Sequence, residues 1–84
     1  MAKSDKRILA IRRNPKAVGF EEACWAAESI KFVKKGGEGS HRVYARPGAP
    51  MILNFQNRQG LIAEYQARQL IAMLDKYENE DNEA

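Results

Sequence analysis

Apolar residues recur with the period of an α-helix in three segments of the chain. We predict helices at residues 4–13, 20–30 and 61–77. Ser4 is a suitable N-cap for the first helix, and Asn14-Pro15 ends it. The second and third helices each have an apolar stripe that should pack on the core. The stripes consist of Phe20, Ala23, Cys24, Ala27 and Ile30 in the second helix and of Ala67, Leu70, Ile71, Leu74 and Tyr77 in the third.

Between the second and third helices the pattern changes to short apolar runs separated by turn residues. These runs predict strands at residues 31–35, 40–46 and 51–55. Gly36-Gly37-Glu38-Gly39 forms a hairpin turn between the first two strands. Alternation along the second strand divides its side chains between two faces: His41, Val43 and Ala45 on one, and Ser40, Arg42, Tyr44 and Arg46 on the other.

This order of elements predicts one domain over residues 1–84 with an α+β fold. We expect an α-β-β-β-α sandwich in which a three-stranded antiparallel sheet carries both helices on one face. The helix at 4–13 is an addition to this core of residues 20–77, and 78–84 form an acidic, frayed tail. Trp25 lies off the stripe of its helix and should pack under the N-terminal helix; the alternative is a base-stacking role.

Charge is distributed unevenly along the 84 residues. The net charge is +3, but residues 75–84 contain five acidic residues and one basic residue, whereas residues 1–74 contain 13 basic and 6 acidic residues. The body therefore has a net charge of +7 and the tail a net charge of −4. A basic body indicates an anionic partner, of which nucleic acid is the leading class.

The sequence contains no long apolar run and no signal-peptide pattern, so we expect a soluble, cytoplasmic protein without membrane contact. Cys24 is the only cysteine, which excludes an internal disulfide and a cysteine-rich metal site. We interpret it as a buried core thiol. One histidine, one cysteine and no clustered carboxylates also predict that the protein uses no metal and no cofactor.

The only histidine, His41, follows a basic, glycine-rich turn. Imidazole exchanges protons near neutral pH, and lysine and arginine attract phosphate oxygens, so this segment predicts a metal-free nuclease site. His41 is the candidate catalytic residue. The candidate RNA-binding residues around it are Lys34, Lys35, Gly39, Ser40, Arg42 and Tyr44. The alternative is that His41 is an ordinary strand residue and that the charged neighbours form a solvated hairpin rim.

Four short motifs in this structural context make the chain resemble the HicA toxins, in particular the longer members that open with an additional helix. The resemblance covers residues 5–78. The motifs are Arg13-Asn14-Pro15, Gly39-Ser40-His41 with the Arg46-Pro47-Gly48 turn, and Tyr65-Gln66-Ala67-Arg68-Gln69. It implies a fold similar to a double-stranded-RNA-binding domain and an mRNA endonuclease that a HicB antitoxin neutralises. It also implies that the histidine of Gly39-Ser40-His41 is catalytic.

In such a reaction the 2′-hydroxyl of RNA attacks the adjacent phosphorus, which requires a base, an acid and positive charge. His41 can supply the base or the acid but not both in one step. A one-histidine site therefore predicts a slow enzyme. Two alternatives remain open: an RNA-binding module of the same fold that does not cleave, and an interaction domain whose only ligand is an antitoxin-like protein. We expect the free protein to be a monomer.

Overall fold

The computed structural model describes residues 6–82, and it has an α+β fold. It contains three helices and one antiparallel sheet, with a short 3-10 turn at Pro15–Ala17. The elements in chain order are α1 (Lys6–Arg13), α2 (Phe20–Ser29), β1 (Val33–Gly36), β2 (His41–Ala45), β3 (Leu53–Gln56) and α3 (Glu64–Asn82). The predicted cap at Ser4 lies outside the described residues. Within them, no helix combines the length and the apolar character needed to cross a membrane.

The sheet has the order β1-β2-β3, and its register gives each residue a face. Tyr44 pairs with Leu53 and Arg42 with Phe55, on the face that the helices cover. His41 pairs with Gln56 on the opposite face, which no element of the described chain covers. The predicted alternation along β2 is thus confirmed, and the face that contains Tyr44 is the core face.

The core consists of the predicted helix stripes and the covered face of the sheet. Every stripe residue is buried except Ile71, which is partly buried against the core. The rings of Phe32 and Tyr77 meet edge to face, with centroids 6.1 Å apart, so the segment just before β1 packs on α3 at one end of the core. Burial of these apolar side chains is the main stabilising contribution to so small a domain.

The additional helix α1 packs on α2 and α3 and not on the sheet. Ile8 and Ile11 are buried, as predicted. Arg12 contacts the carboxylates of Asp75 and Glu78 in α3, the latter at 2.7 Å. The Arg7 guanidinium lies 3.7 Å from the centroid of the Trp25 ring, which confirms that this indole packs under the N-terminal helix.

The start of β1 differs from the prediction because α2 ends in a Schellman motif. The N–H groups of Phe32 and Lys31 donate to the carbonyl oxygens of Ala27 and Glu28, both at 3.0 Å. This motif places Lys31 in the left-handed region, with φ of 71°, so the strand begins at Val33. Gly36 was predicted as a turn residue, but it pairs with Val43 inside β1 after a bulge at Lys35.

The boundaries of α3 also differ from the prediction. The helix begins at Glu64 and not at residue 61, because Ile62 donates a backbone hydrogen bond to Val18 and Leu61 closes a turn with Arg58. Its C-terminal end lies at Asn82, five residues beyond the predicted end at residue 77. Similarly, β3 begins at Leu53, two residues later than predicted.

Candidate functional site

His41 is the first residue of β2 and lies exposed on the open face of the sheet. Its N–H donates to the Glu38 carbonyl oxygen at 3.1 Å, which closes the hairpin turn. Gly37 has a φ of 96°, and a Cβ at this position would lie 2.2 Å from the His41 carbonyl oxygen. The turn therefore needs glycine at Gly37 so that the chain can pass close to the backbone of His41.

Asn54 lies beside His41 on the neighbouring strand. Its Oδ1 is 2.8 Å from His41 Nε2. An amide oxygen only accepts hydrogen bonds, so Nε2 carries the proton in this contact. In the neutral imidazole Nδ1 then has the free lone pair and is the proton acceptor of the site. With its amide oxygen toward the ring, Asn54 orients the imidazole and favours the tautomer with the proton on Nε2.

Gln56 lies directly opposite His41, and its backbone is held by a buried side chain. The side-chain oxygen of Gln66, a residue only 6% exposed, accepts from the N–H of Gln56 at 3.3 Å and from the N–H of Ala63 at 3.4 Å. Gln66 is thus a buried polar residue that joins the start of α3 to the strand beside His41.

Three of the predicted RNA-binding residues lie on the opposite face of the sheet from His41. Arg42 and Tyr44 alternate with His41 along β2, and Lys34 pairs with Tyr44. These three side chains therefore face the helices, and they do not surround the imidazole. Consecutive residues of a strand point to opposite faces of the sheet. Closeness in sequence to His41 therefore gave too many predicted RNA-binding residues.

Tyr44 is a core residue. It is 1% exposed, and its hydroxyl donates to Glu28 Oε2 at 2.8 Å. Burial, followed by the contacts with Glu28 and Cys24, raises the pKa of Tyr44 above its ordinary value. A contact with RNA would require the helices to separate from the sheet, so we remove Tyr44 from the RNA-binding residues.

Arg42 is held between the sheet and α2. Its guanidinium lies 5.0 Å from the centroid of the Phe20 ring and 3.3 Å from Glu21 Oε1. A hydrogen bond with the buried Cys24, together with the charge of Glu21, raises the pKa of Arg42. Its contacts are those of a structural cation, and we correct its predicted role as a phosphate ligand beside His41.

The remaining predicted residues lie at the His41 end of the sheet. Gly39 and Ser40 form the exposed turn that precedes His41, and a Cβ at Gly39 would meet no atom within 4 Å. Lys35 is the exposed extra residue of the bulge in β1. The turn thus leaves open space at Gly39, two residues before His41.

Asn54 and Gln56 were not identified as site residues from the sequence. They alternate with the buried Leu53 and Phe55, which is a signal that they share a face, but only the register shows that this face is that of His41. Among the described residues, no three His, Cys, Asp or Glu side chains are grouped closely enough to hold a metal ion. The site is thus an oriented imidazole within a patch of neutral polar groups.

Such an arrangement suits proton transfer at an exposed substrate, because the imidazole has one fixed donor and one free acceptor.

Comparisons with protein-family models, with curated proteins and with solved structures found no match to this chain.

Proposed function

We propose that the protein is a metal-independent RNA endonuclease in which His41 transfers a proton. The observation that carries this proposal is the hydrogen bond from His41 Nε2 to Asn54 Oδ1, at 2.8 Å on an otherwise open face. The contact holds the imidazole in one orientation and leaves its other ring nitrogen open to a substrate. The basic body, with a net charge of +7 over residues 1–74, supports an anionic polymer as the substrate.

The chemistry is a transphosphorylation within the RNA. Nδ1 of neutral His41 removes the proton of a 2′-hydroxyl, and the 2′-oxygen forms a bond to the adjacent phosphorus. The bond from phosphorus to the 5′-oxygen breaks, which leaves a 2′,3′-cyclic phosphate and a 5′-hydroxyl. The leaving oxygen takes its proton from water, and the hydroxide that remains takes the proton from the imidazolium of His41. The strand neighbours of the imidazole, Asn54 and Gln56, are amides and cannot replace this water as the acid.

The biological setting of this proposal comes from the resemblance to the HicA family. The Gly39-Ser40-His41 turn, the strand order and the additional helix α1 support a double-stranded-RNA-binding-domain-like fold and a toxin that cleaves mRNA in the cytoplasm. Its partner would be a HicB-like antitoxin. A slow enzyme suffices for this role, since a toxin needs only to deplete messages.

The second candidate function is an RNA-binding module that does not cleave. It is favoured by the neutral character of the residues next to His41, Asn54 and Gln56, neither of which can serve as the general acid. In that case His41 would contact RNA without transferring a proton.

The test compares the wild type with His41→Ala in a buffer containing EDTA and a mixed-sequence RNA. A matched control is Ile52→Ala, because Ile52 is exposed and precedes Asn54 by two residues at the far end of the same face. We expect the wild type and the control to cleave, and His41→Ala to lose cleavage by at least about 100-fold. RNA binding, measured at increasing salt, should persist in all three proteins.

Equal cleavage by the wild type and His41→Ala would contradict the proposal. Salt-dependent RNA binding by all three proteins without cleavage by any would instead support the binding module. Neither cleavage nor salt-dependent binding would contradict both candidate functions.

A further inference from the structure

Most arginines of the chain are held in contacts within the protein. The guanidinium groups with a ring, carboxylate or carbonyl partner are those of Arg7, Arg12, Arg42, Arg46 and Arg68. Arg58 is exposed, and its side chain has no ion-pair or hydrogen-bond partner among the described residues. Because an arginine can use both of its N–H edges on one phosphate, this group is available to an anion.

Arg58 lies at the end of the sheet where His41 begins β2. The N–H of Asn57 donates to the Ser40 carbonyl oxygen at 2.7 Å, which continues the pairing of His41 with Gln56 by one residue. Alternation from Asn54 through Gln56 then assigns Arg58 to the face of His41. A diagonal pair of this kind has Cβ atoms about 7 Å apart, within reach of an arginine side chain.

The backbone that carries Arg58 is a tight, fixed turn. Arg58 and Leu61 exchange two backbone hydrogen bonds, at 2.8 and 3.1 Å, across Gln59 and Gly60, which both have positive φ. Asn57 Oδ1 also accepts from the N–H of Gly60 at 2.6 Å.

The turn is in addition joined to the core side of the molecule. The N–H of Phe20, at the start of α2, donates to the Gly60 carbonyl oxygen at 2.9 Å. The backbone that carries Arg58 is therefore fixed at both ends, so only the arginine side chain has to reorient to meet a phosphate.

We propose that Arg58 is a catalytic residue that binds the non-bridging oxygens of the phosphate attacked at His41. This inference rests on the proposed endonuclease function and adds a positive charge on the His41 face of the sheet. Arg58 would hold the phosphate between itself and the imidazole, and its two N–H edges would stabilise the extra negative charge of the five-coordinate transition state. It replaces Arg42 in the role that the sequence had suggested.

The test is Arg58→Gln, with Arg13→Gln as the matched control. Arg13 is also exposed and has no hydrogen-bond or ion-pair partner among residues 6–78, but it ends α1, which packs on the helices and not on the sheet. We expect Arg58→Gln to lower kcat/KM for RNA cleavage about 100-fold, with Arg58→Lys between it and the wild type. The control should stay within about twofold of the wild type. Equal kcat/KM for the two glutamine variants would overturn the proposal.

A second measurement separates this inference from the proposed function. Uridine 3′-phosphate is titrated into the ¹⁵N-labelled proteins, and amide shifts around His41 and Arg58 report binding. Arg58→Gln should weaken the nucleotide affinity at least about tenfold relative to Arg13→Gln. If the wild type binds the nucleotide in this way but cleaves no RNA, the endonuclease proposal fails and the phosphate site at Arg58 stands. Equal nucleotide affinities of Arg58→Gln and Arg13→Gln would overturn the Arg58 proposal. The proposal also fails if the wild type neither binds the nucleotide nor cleaves RNA.

Discussion

Oδ1 of Asn54 lies 2.8 Å from Nε2 of His41, across two neighbouring strands of the sheet. The contact is diagonal, since His41 pairs with Gln56 and Asn54 pairs with Val43. It decides which imidazole nitrogen can accept a proton, and it does so on a rigid element and not on a loop. The proposed chemistry depends on this pair.

Replacing Asn54 with alanine should lower kcat for RNA cleavage about tenfold and leave KM nearly unchanged. Asn54 holds the imidazole and has no contact with the substrate in our mechanism, so its loss affects orientation and not binding. The ¹⁵N chemical shifts of the His41 ring should change from the Nε2-protonated form to a mixture of tautomers. Asn14→Ala is the matched control, because Asn14 is exposed at the end of α1 and its side chain makes no cap hydrogen bond. A raised KM with an unchanged kcat would contradict the positioning role.

Gly37→Ala should destabilise the fold by about 2 kcal/mol or more and reduce cleavage. The added Cβ would lie 2.2 Å from the His41 carbonyl oxygen, at a φ of 96°, so the hairpin must shift at the catalytic residue. Gly36→Ala is the control, because a Cβ at that strand position meets nothing within 4 Å. Urea denaturation measures the difference. Equal stability of the two variants would show that the turn before His41 is not constrained.

Tyr44→Phe should lower the free energy of unfolding by about 1 to 2 kcal/mol and leave RNA cleavage unchanged. It removes the hydroxyl that donates to Glu28, on the side of the sheet away from His41.

The Tyr44→Phe variant should also reduce the loss of stability at alkaline pH. Burial raises the pKa of Tyr44 above the ordinary value of 10.0, so above about pH 10 the unfolded chain loses a proton that the native state keeps. Wild-type stability then falls by up to about 1.4 kcal/mol per pH unit from this group. Loss of cleavage at unchanged stability would return Tyr44 to the site.

The helices and the strand alternation follow from the sequence because each depends on local periodicity. The stripe from Phe20 to Ile30 is buried as predicted, and His41 shares a face with Val43. The site did not follow in the same way. Asn54 reaches His41 only through the register between β2 and β3, which no local pattern encodes. Lys34 and Arg42, by contrast, were assigned to the site because they are near in sequence, although pleating separates them from His41.

The start of β1 also differs between the sequence prediction, at residue 31, and the structure, at Val33. Helix C-terminal caps in the left-handed region usually contain glycine, and here a lysine occupies the position with φ of 71°. No local signal in the sequence therefore indicated that β1 begins only at Val33.

Lys31→Gly should raise the free energy of unfolding by about 0.5 to 1 kcal/mol. Glycine adopts this backbone conformation without the steric cost that a Cβ imposes. Lys34→Gly removes the same charge from the middle of β1 and should destabilise the protein, since glycine weakens a strand. Thermal or urea unfolding distinguishes the two. A destabilising effect of Lys31→Gly would mean that the side chain contributes more than the backbone strain costs.

The chemistry of the cut ends tests the central claim most directly. Purified wild-type protein and His41→Ala are incubated in EDTA with one RNA and with the same RNA carrying a 2′-deoxy nucleotide at the cleaved position, and the products are analysed by mass spectrometry. We predict 2′,3′-cyclic phosphate and 5′-hydroxyl ends from the wild type alone, and no cleavage at the deoxy position. Cleavage at that position, 5′-phosphate ends, or equal products from His41→Ala would contradict the account.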